Sequence, residues 1–373
     1  MAGRRGRPRD ARQPAARFKQ ADSLVFYFRL GTFRCRNYFT DTEVEASSTL
    51  IDVLAALVDW RTAVELRDRL PAYSDRSIDA ALESLVAHTL VVRAGTAEAR
   101  AEARLAAWQA WGPSASFFHF GTKRAFRRRP FQDEARFNRA RLRILPQPPA
   151  VKSYPAAPRH DLAPPAVTAS RDFLDVLLER RTNRTFGRAP VSVDELGTLL
   201  YYAFGFRGHK AWPGLGRVPL RTSPSGGARQ VLEAYCVALR VGGLRRGLYH
   251  YRPDLHRLEH LSAAPSARRL GELCGHQEWI GRAAFVVLLT AVLPRMTWRY
   301  DSARAYRVVL LEAGHFGQTF CLASTWLGLR PFQTAALDDE RLEALLGVDG
   351  GSETVVYALG AGSRGSRAGS RRR

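Results

Sequence analysis

The chain is poor in several things, and each shortage narrows what it can be. Its four cysteines, Cys35, Cys236, Cys274 and Cys321, are scattered through 373 residues with no Cys-x-x-Cys pair. That is too sparse for a disulfide framework, so buried reduced thiols are expected. Cys274-Gly275-His276 is the one close Cys/His pair, and no tetrahedral ligand set assembles around it, so no metal is expected. No run of about eighteen apolar residues occurs, which argues against a membrane-spanning helix. The head from Met1 to Arg17 is rich in arginine but lacks the apolar stretch of a secretory signal. A soluble, cytoplasmic protein is the expectation. Lysine is scarce too, occurring only at 19, 123, 152 and 210, so nearly all of the basic excess behind the net charge of +22 is arginine. A GC-rich coding bias can produce such an excess. It gathers in the head (Arg4, Arg5, Arg7, Arg9, Arg12), between Lys123 and Arg143, and in the tail from Arg364 to Arg373. Solvated basic segments explain that distribution better than a nucleic-acid surface.

What is present points to two domains, consistent with a length beyond one typical core. After a disordered basic head (1–21), Leu24 to Leu30 is aromatic and β-branched and predicts a strand. Ser47 and Ser48 cap a predicted helix over Leu50 to Trp60, Thr62 to Leu70 makes a second, and Ser74 caps a third over Arg76 to His88 before a strand at Leu90 to Arg93. Three helices with flanking strands predict a winged-helix-like domain over 22–100. Its third helix presents Arg76, Asp79, Glu83 and His88, a poor face for DNA, so peptide recognition or a scaffold role is expected. Residues 101–168 read as a helical, basic and proline-rich linker, with seven prolines between Pro146 and Pro165. A mixed helix and strand pattern then runs over 169–362, followed by a basic tail over 363–373. It includes helices at Asp172 to Arg180 and, with a Ser192/Glu195 capping box, Ser192 to Tyr202. Strands at Gln230 to Val241 and Ala284 to Val292, a hairpin around Arg252-Pro253-Asp254, a long apolar helix at Tyr306 to Leu327 and a last strand at Thr354 to Leu359 complete an α+β, three-layer prediction.

Two segments carry chemistry. Arg180-Arg181-Thr182-Asn183-Arg184 places three guanidinium groups within five residues, suited to a dianion. About forty residues on, Arg221-Thr222-Ser223-Pro224-Ser225-Gly226-Gly227-Ala228 supplies hydroxyls, small side chains and backbone N–H groups suited to close approach of an anionic or aromatic cofactor. Surface ion pairs with Glu179 or Glu195, and an ordinary turn at Pro224 to Gly227, are the competing readings.

These residues, with Pro190 to Leu196, Gly247-Leu248-Tyr249-His250-Tyr251 and Leu311-Glu312-Ala313-Gly314-His315-Phe316-Gly317-Gln318, resemble the SagB-type, McbC-like dehydrogenases of the nitroreductase superfamily, over about Asp172 to Gly362. The resemblance implies an FMN-dependent oxidoreductase with a nitroreductase-like fold, an obligate homodimer with flavin at the subunit interface. It also implies a ribosomally made precursor peptide as substrate, with a cyclodehydratase or other maturation enzymes as partners. The reaction it implies is azoline-to-azole oxidation. The alternatives are a flavin-dependent reductase of dehydroamino acids or small nitro or quinone compounds, and a non-catalytic binding protein for peptide or nucleic acid. Carried over, Arg180, Arg181, Thr182 and Arg184 contact the phosphate, ribityl or pyrimidine end of the flavin, Ser223, Pro224, Ser225, Gly226 and Gly227 lie against its ring, and Arg364 adds a basic residue from the tail. Where related azoline dehydrogenases carry a Lys-Tyr pair, this chain has Arg299-Tyr300, the candidate catalytic residues. Arginine stays protonated, so Arg299 suits anion stabilisation and Tyr300 a proton relay. His315 on the long apolar helix is expected to be a satisfied core histidine.

Overall fold

The computed structural model describes residues 15–123, 134–165 and 171–365. The basic head before residue 15 and the tail beyond 365, including Arg367, lie outside the described residues. The described chain divides into two compact units, one ending at residue 123 and one beginning at 134.

The first unit opens with β1 (Arg17–Gln20), then a meander of β2 (Leu24–Arg29), β3 (Thr32–Asn37) and β4 (Thr42–Glu45). Next come α1 (Ser48–Ala56), β5 (Arg61–Thr62), α2 (Ala63–Arg69), α3 (Asp75–Ala87) and β6 (Val91–Arg93), and last α4 (Ala97–Glu102) and α5 (Gly112–Gly121). The helix starts follow their caps: Ser47 accepts from Leu50 N–H, Thr62 and Glu65 form a reciprocal capping box, and Ser74 accepts from Ser77 N–H. A β5-β1-β6 sheet carries the three helices over a core of Val53, Leu54, Leu57, Leu66, Ile78 and Leu82. This is the winged-helix-like pattern, with a correction at each end: the unit does not stop at residue 100 but continues through α5, which Ser116 Oγ ties to Tyr38 Oη at 3.0 Å. The head was expected to be disordered through residue 21, yet Arg17–Gln20 is the central strand, because Phe18 packs on that core between Arg61 and Arg93.

The second unit runs α6 (Glu134–Ile144), β7 (Arg159–Asp161), α7 (Phe173–Glu179), β8 (Val191–Ser192), α8 (Val193–Phe204), β9 (Gly208–Trp212), β10 (Gly216–Leu220) and β11 (Leu232–Ala238). It continues through β12 (Val241–Gly242), β13 (Gly247–Arg252), β14 (Arg257–Ser262), α9 (Ala267–Leu273), β15 (Phe285–Val292) and α10 (Leu293–Thr297). The 22-residue α11 (Ala305–Trp326), β16 (Arg330–Thr334), α12 (Asp339–Leu346) and β17 (Glu353–Gly362) close it. Seven strands pair antiparallel in the order β16-β17-β15-β11-β13-β14-β7. The alternation along β11 sends Ala234 and Cys236 to the layer of α8 and α11, and Tyr235 and Val237 to the layer of α9 and α12. That makes the expected three layers. All four cysteines are buried and free, and burial pushes Cys236, Cys274 and Cys321 up to about 12. Among the described residues no helix is long and apolar enough to cross a membrane.

The proline-rich stretch read above as linker instead covers one face of this sheet. Its prolines hold it extended, which suits an edge strand, and β7 adds to β14 at the sheet edge. Ahead of β7, Lys152 N–H donates to Glu233 (3.1 Å) and Tyr154 N–H to Glu259 (3.0 Å). Lys152 Nζ reaches Glu353 at 2.5 Å and Tyr235 Oη at 2.9 Å. Beneath lies His250, fully buried, with Nε2 2.9 Å from Glu233 and Nδ1 3.0 Å from Glu259. Arg295 joins at 2.5 Å from the second oxygen of Glu233.

Candidate functional site

The arginine segment follows α7, whose N-cap Asp172 accepts from Leu174 N–H at 2.8 Å. Beyond the helix the chain is pinned to the sheet. Asn183 N–H donates to Pro331 O (2.8 Å) and Gly187 N–H to Ser363 O (2.8 Å). A Cβ at Gly187 would sit 2.6 Å from Arg364 O, so the backbones of this loop and the end of β17 approach too closely for any other residue. Around the pinned loop stands a basic rim. Arg171 and Arg364 grip opposite oxygens of Glu179 at 2.7 and 3.0 Å and hold that carboxyl below its usual range. Arg330 Nη1 reaches Thr185 O at 3.3 Å, and the Arg184 guanidinium lies 5.8 Å from the Trp279 ring. Arg181 donates to Leu178 O and Arg180 O and is exposed, as is Thr182. Arg180 is near enough to Cys321 on α11 to act on its thiol. Arg364 lies at this loop, engaged with Glu179. Arg171 and Arg330 escaped the sequence reading because isolated arginines carry no signal in so arginine-rich a chain.

The glycine segment lies between β10 and β11. Ser223 is buried with Oγ 2.7 Å from Thr319 Oγ1, and Pro224 is exposed. Ser225 Oγ accepts from Gln230 N–H at 2.9 Å, and Gly226 N–H donates to Glu312 Oε2 at 3.1 Å. Burial raises the Glu312 carboxyl above its usual range. Gly227, Ala228 and Gln230 have φ of 60°, 52° and 52°. Left-handed backbone at two non-glycine residues costs roughly 1–2 kcal/mol each, strain that persists where surrounding contacts fix it and that clusters at functional sites.

This loop and the candidate catalytic pair come together. A Cβ at Gly226 would stand 2.5 Å from Val308 Cγ1, and one at Gly227 2.5 Å from Tyr300 Oη. The Tyr300 hydroxyl thus rests directly on the loop backbone. Arg299 lies over the Tyr300 ring at 5.6 Å and donates to Asn138 Oδ1 at 2.7 Å. Next to them Arg229 is buried, 5.6 Å from the Trp298 ring. Its Nη2 has no hydrogen-bond partner among the described residues, and burial and Arg299 lower its pKa. A rim of guanidinium groups, a strained glycine loop with no room for side chains, and an orphaned buried donor fit a cofactor with a phosphate and a flat polar ring. His315, expected in the core, is exposed on α11, because the apolar stripe of Val309, Phe316 and Phe320 takes the buried side.

In one chain the rim and the loop meet α11 at different points. Glu312 and Thr319 hold the loop, whereas Arg171 Nη1 donates to Thr325 O at 2.6 Å and Arg364 Nε to Gly328 O at 3.0 Å, at the C-terminal end of the helix and just past it. Nearby, α7 exposes Phe173, Leu174, Leu177 and Leu178, and α11 exposes Tyr306, Leu310 and Leu311.

The nitroreductase family model matches residues 177–363. A protein of Methanocaldococcus jannaschii that bears a nitroreductase name is 30% identical over 172 residues, 46% of this chain and 82% of its own length. The trifolitoxin-processing protein TfxB of Rhizobium leguminosarum bv. trifolii is 28% identical over 45% of this chain and 46% of its own length. The trifolitoxin operon protein TfxC of the same organism is 24% identical over 52% and 56%. The chain spans about half the length of these two relatives. A solved structure named as a nitroreductase, from Anabaena variabilis, superposes with a TM-score of 0.50 at 25% identity, covering 66% of this chain and 45% of that one.

Proposed function

The chain belongs to the nitroreductase family of oxidoreductases, and from that premise we propose that it is an FMN-dependent, homodimeric dehydrogenase that oxidises a ribosomally made peptide. The observation that carries the site is the Tyr300 hydroxyl resting on left-handed Gly227 beside Ser223, Pro224, Ser225 and Gly226. When bound, FMN supplies two-electron redox chemistry. Arg180, Arg181, Thr182, Arg184 and Arg364, with Arg171 and Arg330, hold its anionic end, and the glycine loop bounds the ring. Tyr300 Oη relays to solvent the proton that leaves the substrate, and Arg299 stabilises developing negative charge. The separate placement of the rim, at the C-terminal end of α11, and the loop, at Glu312 and Thr319, supports a site completed by a second copy, and the exposed apolar side chains of α7 and α11 supply the surface for it.

Peptide as substrate draws on the sequence resemblance and on the trifolitoxin names of two relatives. The first unit is assigned to peptide recognition, with nucleic acid disfavoured by α3: Asp79 is tied to Arg67 at 2.7 Å, and Glu83 is exposed two turns along from Arg76. The test is mass spectrometry of candidate precursor peptides, with and without ring formation by a cyclodehydratase, incubated with the FMN-loaded protein in air. Loss of a pair of hydrogens per modified ring is the expected result. A gain of a pair, dependent on NAD(P)H, would establish a reductase instead.

A further inference from the structure

The Trp298-Arg299-Tyr300 segment takes its support from outside the family-matched residues. Helix α6 precedes residue 177, yet it grips this segment at several points. Arg141 Nε donates to Trp298 O at 2.8 Å and its Nη2 to Thr297 O at 3.2 Å, while Trp298 Nε1 donates to Leu145 O at 3.0 Å. The Phe137 ring lies 4.9 Å from the Arg299 guanidinium. At the centre is Asn138, fully buried, with both ends of its amide engaged. Nδ2 donates to Pro213 O at 2.7 Å, at the tip of the β9–β10 hairpin, and Oδ1 accepts from Arg299 Nη1 at 2.7 Å. A carbonyl can only accept and a guanidinium can only donate, so these partners dictate a single orientation of the amide. The hairpin tip is pressed onto the same helix: a Cβ at Gly214 would stand 2.6 Å from Ala135 O and 3.0 Å from Asn138 Cβ.

We propose that Asn138 is a positioning residue for the reaction: it fixes the Arg299 guanidinium against Tyr300 before substrate arrives, and α6 is thereby a wall of the active site. The inference rests on the roles given above to Arg299 and Tyr300. Arginine has a long, rotamer-rich side chain, and a buried hydrogen bond over an aromatic ring holds it in one place, so that ordering is not required at the moment of reaction.

Two variants separate positioning from folding. Asn138→Asp keeps the acceptor for Arg299 and loses the donor to Pro213; Asn138→Ala loses both. One readout is independent of flavin: the rate at which phenylglyoxal modifies Arg299, followed by peptide mass spectrometry. The other is kcat and KM for NAD(P)H-driven reduction of 1,4-benzoquinone by the FMN-loaded protein. Asn138→Ala is expected to speed Arg299 modification and to lower kcat/KM, each by about tenfold or more, the size of a lost bond to a charged group. Asn138→Asp is expected to restore both to within about threefold of wild type on the same bond, while both variants melt below wild type. Unchanged Arg299 reactivity in Asn138→Ala, or Asn138→Asp kinetics no better than those of Asn138→Ala, would overturn the proposal. If the wild type takes up no FMN, the flavoenzyme reading fails by itself, and the phenylglyoxal comparison still decides whether Asn138 fixes Arg299.

Discussion

Replacing Tyr300 with phenylalanine is expected to cut peptide turnover by about a hundredfold or more while leaving flavin content and melting temperature near wild type, because a positioned proton-transfer group contributes on that scale. The hydroxyl is the only atom removed. The ring still lies beside Arg299 and against Gly227, so the wall of the cradle stays in place. Gly227→Val should behave differently. A side chain there would meet Tyr300 Oη at 2.5 Å and would have to adopt a φ of 60°, so flavin uptake and turnover should fall together. Flavin released per chain, set beside the rate on the peptide found by mass assay, distinguishes the two. Full activity in Tyr300→Phe would remove this residue from the mechanism.

The second large effect is on stability. His250→Leu should destabilise the second unit by about 3–5 kcal/mol, the range for breaking a buried charged pair from one side. Both ring nitrogens of His250 face carboxylate oxygens, which only accept, so both carry protons and the ring is cationic. Burial pulls its pKa down, but Glu233 and Glu259 more than reverse this and the net shift is upward. Burial likewise opposes the ionisation of Glu233, yet His250 and Arg295 hold that carboxyl at about 2. The signs then set the pH window. A raised histidine contributes stability in full below its unfolded value, about 6.5, and loses it as pH rises through the folded value. A depressed carboxylate contributes above about 4.5 and loses it as pH falls toward 2. Melting curves followed from below about pH 6.5 upward should therefore decline on the alkaline side in the wild type and be flatter there in His250→Gln. Equal alkaline slopes would contradict a cationic His250.

Much of this architecture was legible locally. The Ser192/Glu195 capping box, the strand at β15, the hairpin of β13 and β14 and the long α11 all announce themselves through caps, alternation and helical period. What stayed hidden depends on distant partners. β1 is four residues with one strongly apolar side chain, and the segment around Lys152 and Tyr154 is defined by Glu233, Glu259 and Glu353, some eighty to two hundred positions away. The same holds for the site. Arg180, Arg181, Arg184 and the Ser223 to Gly227 loop stand out as clusters, whereas Arg171, Arg330, Arg229, Glu312 and Asn138 are single residues that acquire meaning only from what folding sets beside them.

The central claim is that the arginine rim and the glycine loop exist to hold FMN. The direct test is the visible absorption spectrum of the purified protein, followed by identification of whatever heat denaturation releases. A flavin band and released FMN are expected. A colourless protein that also fails to take up added FMN would contradict it, and would leave the second unit as a nitroreductase scaffold without redox chemistry.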